Sequence, residues 1–286
     1  MNAKESTVLP QDMAAALAAT RTGRGVFGAR LHYAAEVGST NDLAAAAADH
    51  GEPEGTTFVA GAQTAGRGRL GRIWFSPPGA GLYLSIIVRR PSLAPWITLA
   101  GAVAVADGIR AATALPVQIK WPNDIVAVGG AGFRGRRKIA GILAEASSGS
   151  EGIHHVVLGV GINLRSAAFP PELADRASAI ETELGRPADG GAVLAQVLVA
   201  LNRTLGELAA GLPGSPPPAS RRDSSQVALI ARWVELSPSA YGAPIEWDAG
   251  LGAAAGTTAG LAEDGALLAR TRDGLRRIVS GEVRWL

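Results

Sequence analysis

The chain of 286 residues contains no cysteine, which excludes disulfides, thiolate catalysis and cysteine-based zinc sites together. Charge of one sign is not in excess. The formal net charge is +2, so composition makes no general electrostatic case for a nucleic-acid partner. Aromatic residues make up only 5%, while alanine and glycine are abundant, a balance that fits a soluble globular protein. Long hydrophobic runs are lacking. The greasiest stretch, PWITLAGAVAVA (95–106), is too short to span a bilayer and reads as a buried helix ending near Asp107 and Arg110. The first residues, MNAKESTVLPQDM, have no apolar core of a secretory signal. A cytoplasmic protein with no membrane contact is the expectation.

Lysine is scarcer still. Of 27 basic residues only three are lysines, Lys4, Lys120 and Lys138. An ammonium is a compact point charge and a guanidinium a planar fork, so two internal lysines in an arginine-rich chain ask what requires an ammonium there.

Patterning divides the chain into a long α/β-type portion and an all-β end. Helices are predicted over 11–20, 39–50, 95–114, 171–184, 190–210 and 225–236. Ser39 and Asp42 stand at capping-box spacing ahead of the second. Strands are predicted over 31–37, 56–62, 81–90, 117–121, 138–147 and 154–164. The run GLPGSPPPAS (211–220) reads as a surface loop. From about 237 onward helical periodicity ceases and short apolar runs alternate with glycine turns.

The stretch AGRGRLGRIW (65–74) spells G-x-G-x-x-G, the spacing of a dinucleotide fingerprint. A Rossmann unit needs a helix opening at the glycines and an acidic residue about 20 positions on. Here Pro77 and Pro78 forbid the helix, and Arg89, Arg90 and Pro91 stand where the acid belongs. Neither internal lysine sits in a P-loop pattern. What remains is a glycine loop bearing Arg67, Arg69 and Arg72. It is either a solvated basic loop, a single-stranded nucleic-acid contact with thin aromatic support from Trp74 and Phe75, or a flap that closes over an anion.

The order GSTN (38–41), QTAGRGRLGRIW (63–74), KWPND (120–124), KIAGIL (138–143) and GVGIN (159–163) resembles the biotin protein ligases, and SGEVRWL (280–286) resembles the end of their C-terminal domain. The likeness runs from about residue 31 to the C-terminus. It implies an α+β fold: a mixed sheet flanked by helices, of the class II synthetase-like biotin/lipoate ligase type, over 28–236. A small SH3-like β-barrel domain would follow over 237–286, with 1–27 as an N-terminal extension. It implies an ATP-dependent ligase that makes biotinyl-5′-AMP and passes the biotin to a lysine of a biotin carboxyl carrier protein, of the acetyl-CoA or pyruvate carboxylase type.

By the same resemblance Ser39, Thr40, Asn41, Gln63, Arg67, Gly68, Arg69, Lys138 and Gly141 belong to the biotin site. Arg67, Arg69, Arg72, Trp74, Lys120, Asn123, Asp124, Gly159, Gly161 and Asn163 belong to the nucleotide site. Lys138, Arg69 and Lys120 carry the catalysis, and Asp124 meets the metal, Mg²⁺. The chemistry suits these types, because both nucleophiles come from the substrates and the protein supplies positioning and charge neutralisation. Plainer roles stand beside these: surface ion pairs for Lys120 and Lys138, a turn for Asp124, core for Trp121 and close backbone approach for Gly159 and Gly161. His154 and His155 fall on opposite faces of a strand and read as structural.

Two departures stand out. About 35 residues precede GSTN, too few for the helix-turn-helix module that many bacterial members carry, so no DNA partner is expected; a homodimer is left open. AVGGAGFRGRR (127–137) is longer and more basic than the expected turn. The rival readings are a lipoate ligase of the same fold and, from another class, a nucleic-acid-binding module built on the arginine loops.

Overall fold

The structure, a computed structural model, describes residues 8–127, 136–150, 152–165, 169–210, 220–248 and 252–286. Residues 211–219 of the proline-rich run and 128–135 of the basic insertion lie outside the described residues.

The first part of the chain runs α1 (Gln11–Ala19), α2 (Arg21–Arg24), β1 (Leu31–Ala34), α3 (Thr40–Asp49), β2 (Thr57–Ala60), β3 (Gly81–Val88), α4 (Ile97–Thr113), β4 (Gln118–Lys120) and β5 (Asp124–Val126). Next come β6 (Lys138–Gly149), β7 (Gly152–Asn163), α5 (Pro171–Ala174), α6 (Ile180–Leu184), α7 (Gly190–Ala210) and α8 (Ser220–Glu235). Five strands close the chain: β8 (Tyr241–Asp248), β9 (Ala253–Leu261), β10 (Leu267–Thr271), β11 (Gly274–Ile278) and β12 (Val283–Trp285).

Seven strands form a mixed sheet in the order β1-β2-β3-β7-β6-β5-β4, with β1 parallel to β2 and the other pairs antiparallel. One face is apolar. Leu82, Leu84, Ile86, Ile142, Leu158, Val160 and Ile162 join α4 and α7 in the main core. Gly108 brings α4 against α7, since a Cβ there would lie 2.6 Å from the Val197 backbone. α4 is buried from Ile97 to Ile109 except at Thr98, as its all-round apolar sequence requires. Its one acid, Asp107, accepts from Arg203 of α7 at 2.6 Å and from Arg232 of α8 at 2.5 Å, so the buried charge pins three helices together.

The other face carries α3, whose alanines pack on Phe58, Ile87 and Val157 in a small separate cluster. Beyond α3 the same face presents Gly141, Gly159 and Gly161, with Gly141 opposite Gly161 and Leu143 opposite Gly159 in the β6–β7 ladder. Small residues leave a groove there.

The last five strands make an antiparallel sheet in the order β11-β10-β9-β8-β12. It shares one core with the rest, as Ile245, Trp247, Leu267 and Val283 belong to the same cluster as α4. Leu17 and Phe27 join that cluster from the N-terminal segment.

Three sequence expectations change. The helix over 171–184 is two short pieces, α5 and α6. Between them Ser178 donates its backbone N–H to Lys138 O, while Lys138 N donates to Arg176 O, and this pairing with the start of β6 interrupts the helix. The last helix of this part begins at Ser220 rather than 225. Ser39 is the residue before α3 but makes no side-chain cap bond. Instead Thr40 N donates to Gln63 Oε1 at 2.9 Å, and Asp42 turns to Arg67.

Candidate active site

Two cavities meet on the glycine face of the mixed sheet. The narrower, about 50 Å³, is lined by Ser39, Thr40 and Asn41 at the start of α3, by Gln63 and Arg67, and by the floor Gly141, Gly159 and Gly161. The wider, about 450 Å³, lies between the end of the sheet and the C-terminal strands. Arg72, Lys120, Asp124 and Asn163 line it together with Glu282 and Trp285. Gly68, Arg69, Trp74, Asn123 and Lys138 line both, so the boundary between the cavities is cationic.

A chain of hydrogen bonds builds the narrow cavity. Gln63 Nε2 donates to Ser76 Oγ at 3.0 Å and its Oε1 accepts from Thr40 N and Oγ1. Ser85 Oγ is 2.7 Å from Thr40 Oγ1 and 2.5 Å from Asn41 Oδ1. Asn41 Nδ2 then donates to Glu145 Oε2 at 2.5 Å. Asn41 lies flat on Gly159, where a Cβ would stand 2.3 Å from its Oδ1. Trp74 does the same at Gly161, where a Cβ would stand 2.3 Å from its Nε1, and that buried N–H has no hydrogen-bond partner among the described residues.

Lys138 opens β6 and Asp124 opens β5. Lys138 Nζ is 2.6 Å from Asp124 Oδ1 and 5.0 Å from the centroid of the Trp74 ring. Arg69 Nη1 donates to Asn123 Oδ1 at 3.2 Å, and Asn123 Nδ2 donates to Ile142 O at 2.7 Å. Asn163 is buried, donating to Ser178 O and Lys138 O. Lys120 lies 4.9 Å from the Trp285 ring. Burial pushes the Lys120 ammonium below the ordinary lysine value, against the opposing pull of Asp124 and Glu282. Trp121 is buried, and its Nε1 donates to Gly265 O of the C-terminal sheet at 3.1 Å, so it serves as core and as tether.

The structure thus gathers all the candidate site residues named in the sequence around one pair of cavities, with one difference of placement. Gly159 and Gly161, expected beside the nucleotide, floor the narrow cavity with Ser39, Thr40 and Asn41, because they share a strand face with Gly141 across the ladder. Arg67 lies on the narrow side, one of the two places expected for it, and is held there by two carboxylates, Asp42 at 2.5 Å and Glu145 at 3.1 Å. His155 is buried and His154 exposed, as their opposite faces predict, and neither lines a cavity described here.

Sequence reasoning missed Glu145, Ser85, Glu282 and Trp285. Strand alternation from Gly141 through Leu143 points Glu145 to the groove face. Ser85 is the lone polar residue of an apolar strand. Glu282 and Trp285 lie in the motif SGEVRWL, but only the packing of the two sheets shows that they face Arg72 and Lys120.

The residues fit a small molecule with one anionic end in the narrow cavity and a polyphosphate in the wider one. Among the described residues no group of three or more His, Cys, Asp or Glu could by itself hold a metal ion.

The profile of the Biotin/lipoate A/B protein ligase family matches residues 33–163. Among curated proteins, the chain is 32% identical over 266 residues to the "Bifunctional ligase/repressor BirA" of Bacillus spizizenii, covering 90% of this chain and 74% of that protein. It is 39% identical over 171 residues to the "Biotin--[acetyl-CoA-carboxylase] ligase" of Mycobacterium tuberculosis, covering 57% and 59%. Among solved structures, the biotin protein ligase of Aquifex aeolicus in complex with biotin and ATP superposes with a TM-score of 0.71 at 28% identity, over 90% of this chain and 99% of that one.

Proposed function

The chain belongs to the Biotin/lipoate A/B protein ligase family, as one of its biotin protein ligases, and we propose how its two cavities divide the work. Biotin and ATP are the substrates. The biotin carboxylate attacks the α-phosphate of ATP, a bond to the β-phosphate breaks, and pyrophosphate leaves. The amine of the carrier lysine then attacks the acyl carbon of biotinyl-5′-AMP, AMP departs, and an amide remains. The acceptor is a biotin carboxyl carrier protein, in line with the naming of the Mycobacterium tuberculosis relative. We propose that the reaction runs in the cytoplasm, as expected of a chain that uses ATP and a carrier protein.

The observation that carries this reading is the meeting of the two cavities at Lys138. A carboxylate held at Ser39–Asn41 by its far end would present its oxygens to Nζ from one side, and the α-phosphate would arrive from the other. Lys138 and Arg69 then neutralise the charge where it develops, in a site already organised for it. Lys120, walled by Trp285 and partly dehydrated, offers its ammonium to the outer phosphates. The acids present fit Mg²⁺, which is usually held by one or two carboxylates together with substrate phosphates. Asp124 would supply the protein oxygen, and the bound ion would offset phosphate charge.

The narrow cavity is small, about 50 Å³, and Trp74 and the arginine loop form part of its wall, so the reading has both shift as biotin enters. Binding therefore opens and then recloses this wall.

Purified protein with ATP, Mg²⁺, biotin and a biotin carrier domain tests the reading, with streptavidin blotting and pyrophosphate release as readouts. Carrier labelling that depends on both ATP and biotin is expected. Absence of pyrophosphate release, or preferential use of lipoate, would overturn it.

A further inference from the structure

The glycine loop that crosses both cavities is not moored by its backbone. From Gly66 to Trp74 its hydrogen bonds fold it on itself: Gly68 N to Arg72 O at 2.7 Å, Arg72 N to Arg69 O at 3.2 Å and Trp74 N to Gly66 O at 2.9 Å. Apolar packing does not hold its tip either, since Leu70 and Ile73 are 72% and 84% exposed. Behind the loop, against Thr98 and residues 142–145, lies a further cavity of about 320 Å³. The arginines do the mooring. Arg72 reaches Glu282, Arg69 reaches Asn123, and Arg67 reaches Asp42 and Glu145.

Glu145 differs from the other mooring points in one respect. Its single oxygen Oε2 accepts both from Arg67 Nη2 at 3.1 Å and from Asn41 Nδ2 at 2.5 Å. Asn41 is the wall of the narrow cavity over Gly159, and Ser85 fixes the other end of its amide. One carboxylate therefore joins a wall of the biotin cavity to the loop that covers it. When the loop lifts, Arg67 leaves Asp42 and Glu145 facing each other without a cation between them, and two like charges so placed repel. Closure restores the cation.

We propose that Glu145, assisted by Asp42, is a positioning latch that couples the biotin-cavity wall at Asn41 to closure of the 66–73 loop through Arg67, and so governs how long the adenylate stays bound. This rests on the biotin ligase reading above. In it Arg67 is a latch bolt, while Lys138 and Arg69 face the reacting anions. The three groups are partly exposed, with side chains 41%, 60% and 42% accessible for Arg67, Asp42 and Glu145, so the latch is sensitive to salt.

The test compares the parent with Glu145→Gln, Asp42→Asn, Arg67→Ala and the Glu145→Gln/Arg67→Ala double variant. Loss of preformed biotinyl-5′-AMP is followed by trapping with excess unlabelled biotin, alongside KM and kcat for pyrophosphate release. Both carboxylate variants should speed adenylate loss about five-fold, the scale of a partly exposed ion pair, and raise the biotin KM more than they lower kcat. Added salt should speed loss in the parent but little in the variants. The double variant should be no worse than Arg67→Ala alone, as residues acting through one contact are non-additive. Additive effects, unchanged retention, or a fall in kcat at unchanged KM would overturn the latch.

Hydrogen exchange of 66–73 without substrates separates this idea from the ligase reading. A parent that makes no adenylate defeats the ligase reading. The latch itself fails if Glu145→Gln leaves the loop as protected as in the parent.

Discussion

Lys138 Nζ lies 2.6 Å from Asp124 Oδ1 and close above Gly141, where a Cβ would stand 3.1 Å from the same nitrogen. The pair joins the first residues of two neighbouring strands, β5 and β6, at the junction of the two cavities. Asp124 holds the ammonium in place, and glycine gives it room.

Lys138→Ala should therefore nearly abolish adenylate formation. Losing one preorganised donor at a developing charge costs roughly 3 kcal/mol, about two orders of magnitude in rate. Lys138→Arg should not restore it, because the space over Gly141 fits a compact ammonium and not a guanidinium fork. Pyrophosphate release reads the rate, and circular dichroism should show the fold unchanged. Turnover near that of the parent would remove Lys138 from the mechanism.

The two floor glycines should separate by substrate. Gly159→Ala drives a methyl against Asn41 Oδ1, and Gly161→Ala drives one against the Trp74 indole, each to 2.3 Å unless the neighbour moves. Overpacking of this kind costs about 1–3 kcal/mol, so biotin affinity should fall by roughly ten-fold or more for Gly159→Ala. Gly161→Ala should displace Trp74, which lines both cavities, and weaken biotin and ATP analogue alike. Calorimetric titration of each ligand checks this, and equal biotin affinity in parent and Gly159→Ala would contradict the placement.

Lys120 sets an alkaline limit. Its folded pKa is lowered by burial, so its positive charge is lost, as pH rises, before that of a free lysine, about 10.4. The kcat/KM for ATP should fall on the alkaline side with an apparent pKa below that value. Lys120→Arg, charged throughout, should remove this limb even if its overall rate is lower. A profile flat to pH 10 in the parent would exclude Lys120 from phosphate binding.

Arg69→Gly should let the intermediate escape. Arg69 lines both cavities and is tied to Asn123 at 3.2 Å, so removing it opens the seam above the adenylate. A site that fails to close loses a reactive anhydride to bulk solvent. Bystander proteins should then be biotinylated without a carrier, seen by streptavidin blot of added serum albumin. A variant as selective as the parent would refute the clasp.

ATP analogue should bind weakly to the empty protein and more tightly with biotin present. The 66–73 loop has few apolar anchors, and its Arg69, bonded to the neutral amide of Asn123, lines both cavities, so an anion beneath it favours the closed state. Calorimetry with and without biotin measures the difference, and equal affinities would count against ordered binding.

The alternation of strands and helices was legible because period-2 and helical patterns are local, and β3, β6, β7, α4 and α7 fall close to where the sequence puts them. The break between α5 and α6 was not, because it depends on pairing with Lys138, some 40 residues earlier in the chain. Ser39 and Asp42 had capping-box spacing, yet their partners are decided by what lies opposite. Gln63 takes the N–H of Thr40, and Arg67 takes the acid.

By itself the sequence determined the family, the motifs and the residue types that two anionic substrates demand. These are properties of residue identity and short spacing. Tertiary structure alone decided which motif faces which. It put Gly159 and Gly161 under the narrow cavity, held Arg67 between two carboxylates, and set Glu282 and Trp285 of the last strands against Arg72 and Lys120. Charge neutralisation and close contact act across a few ångströms, and residues 25 to 210 positions apart reach that range only when the chain is folded.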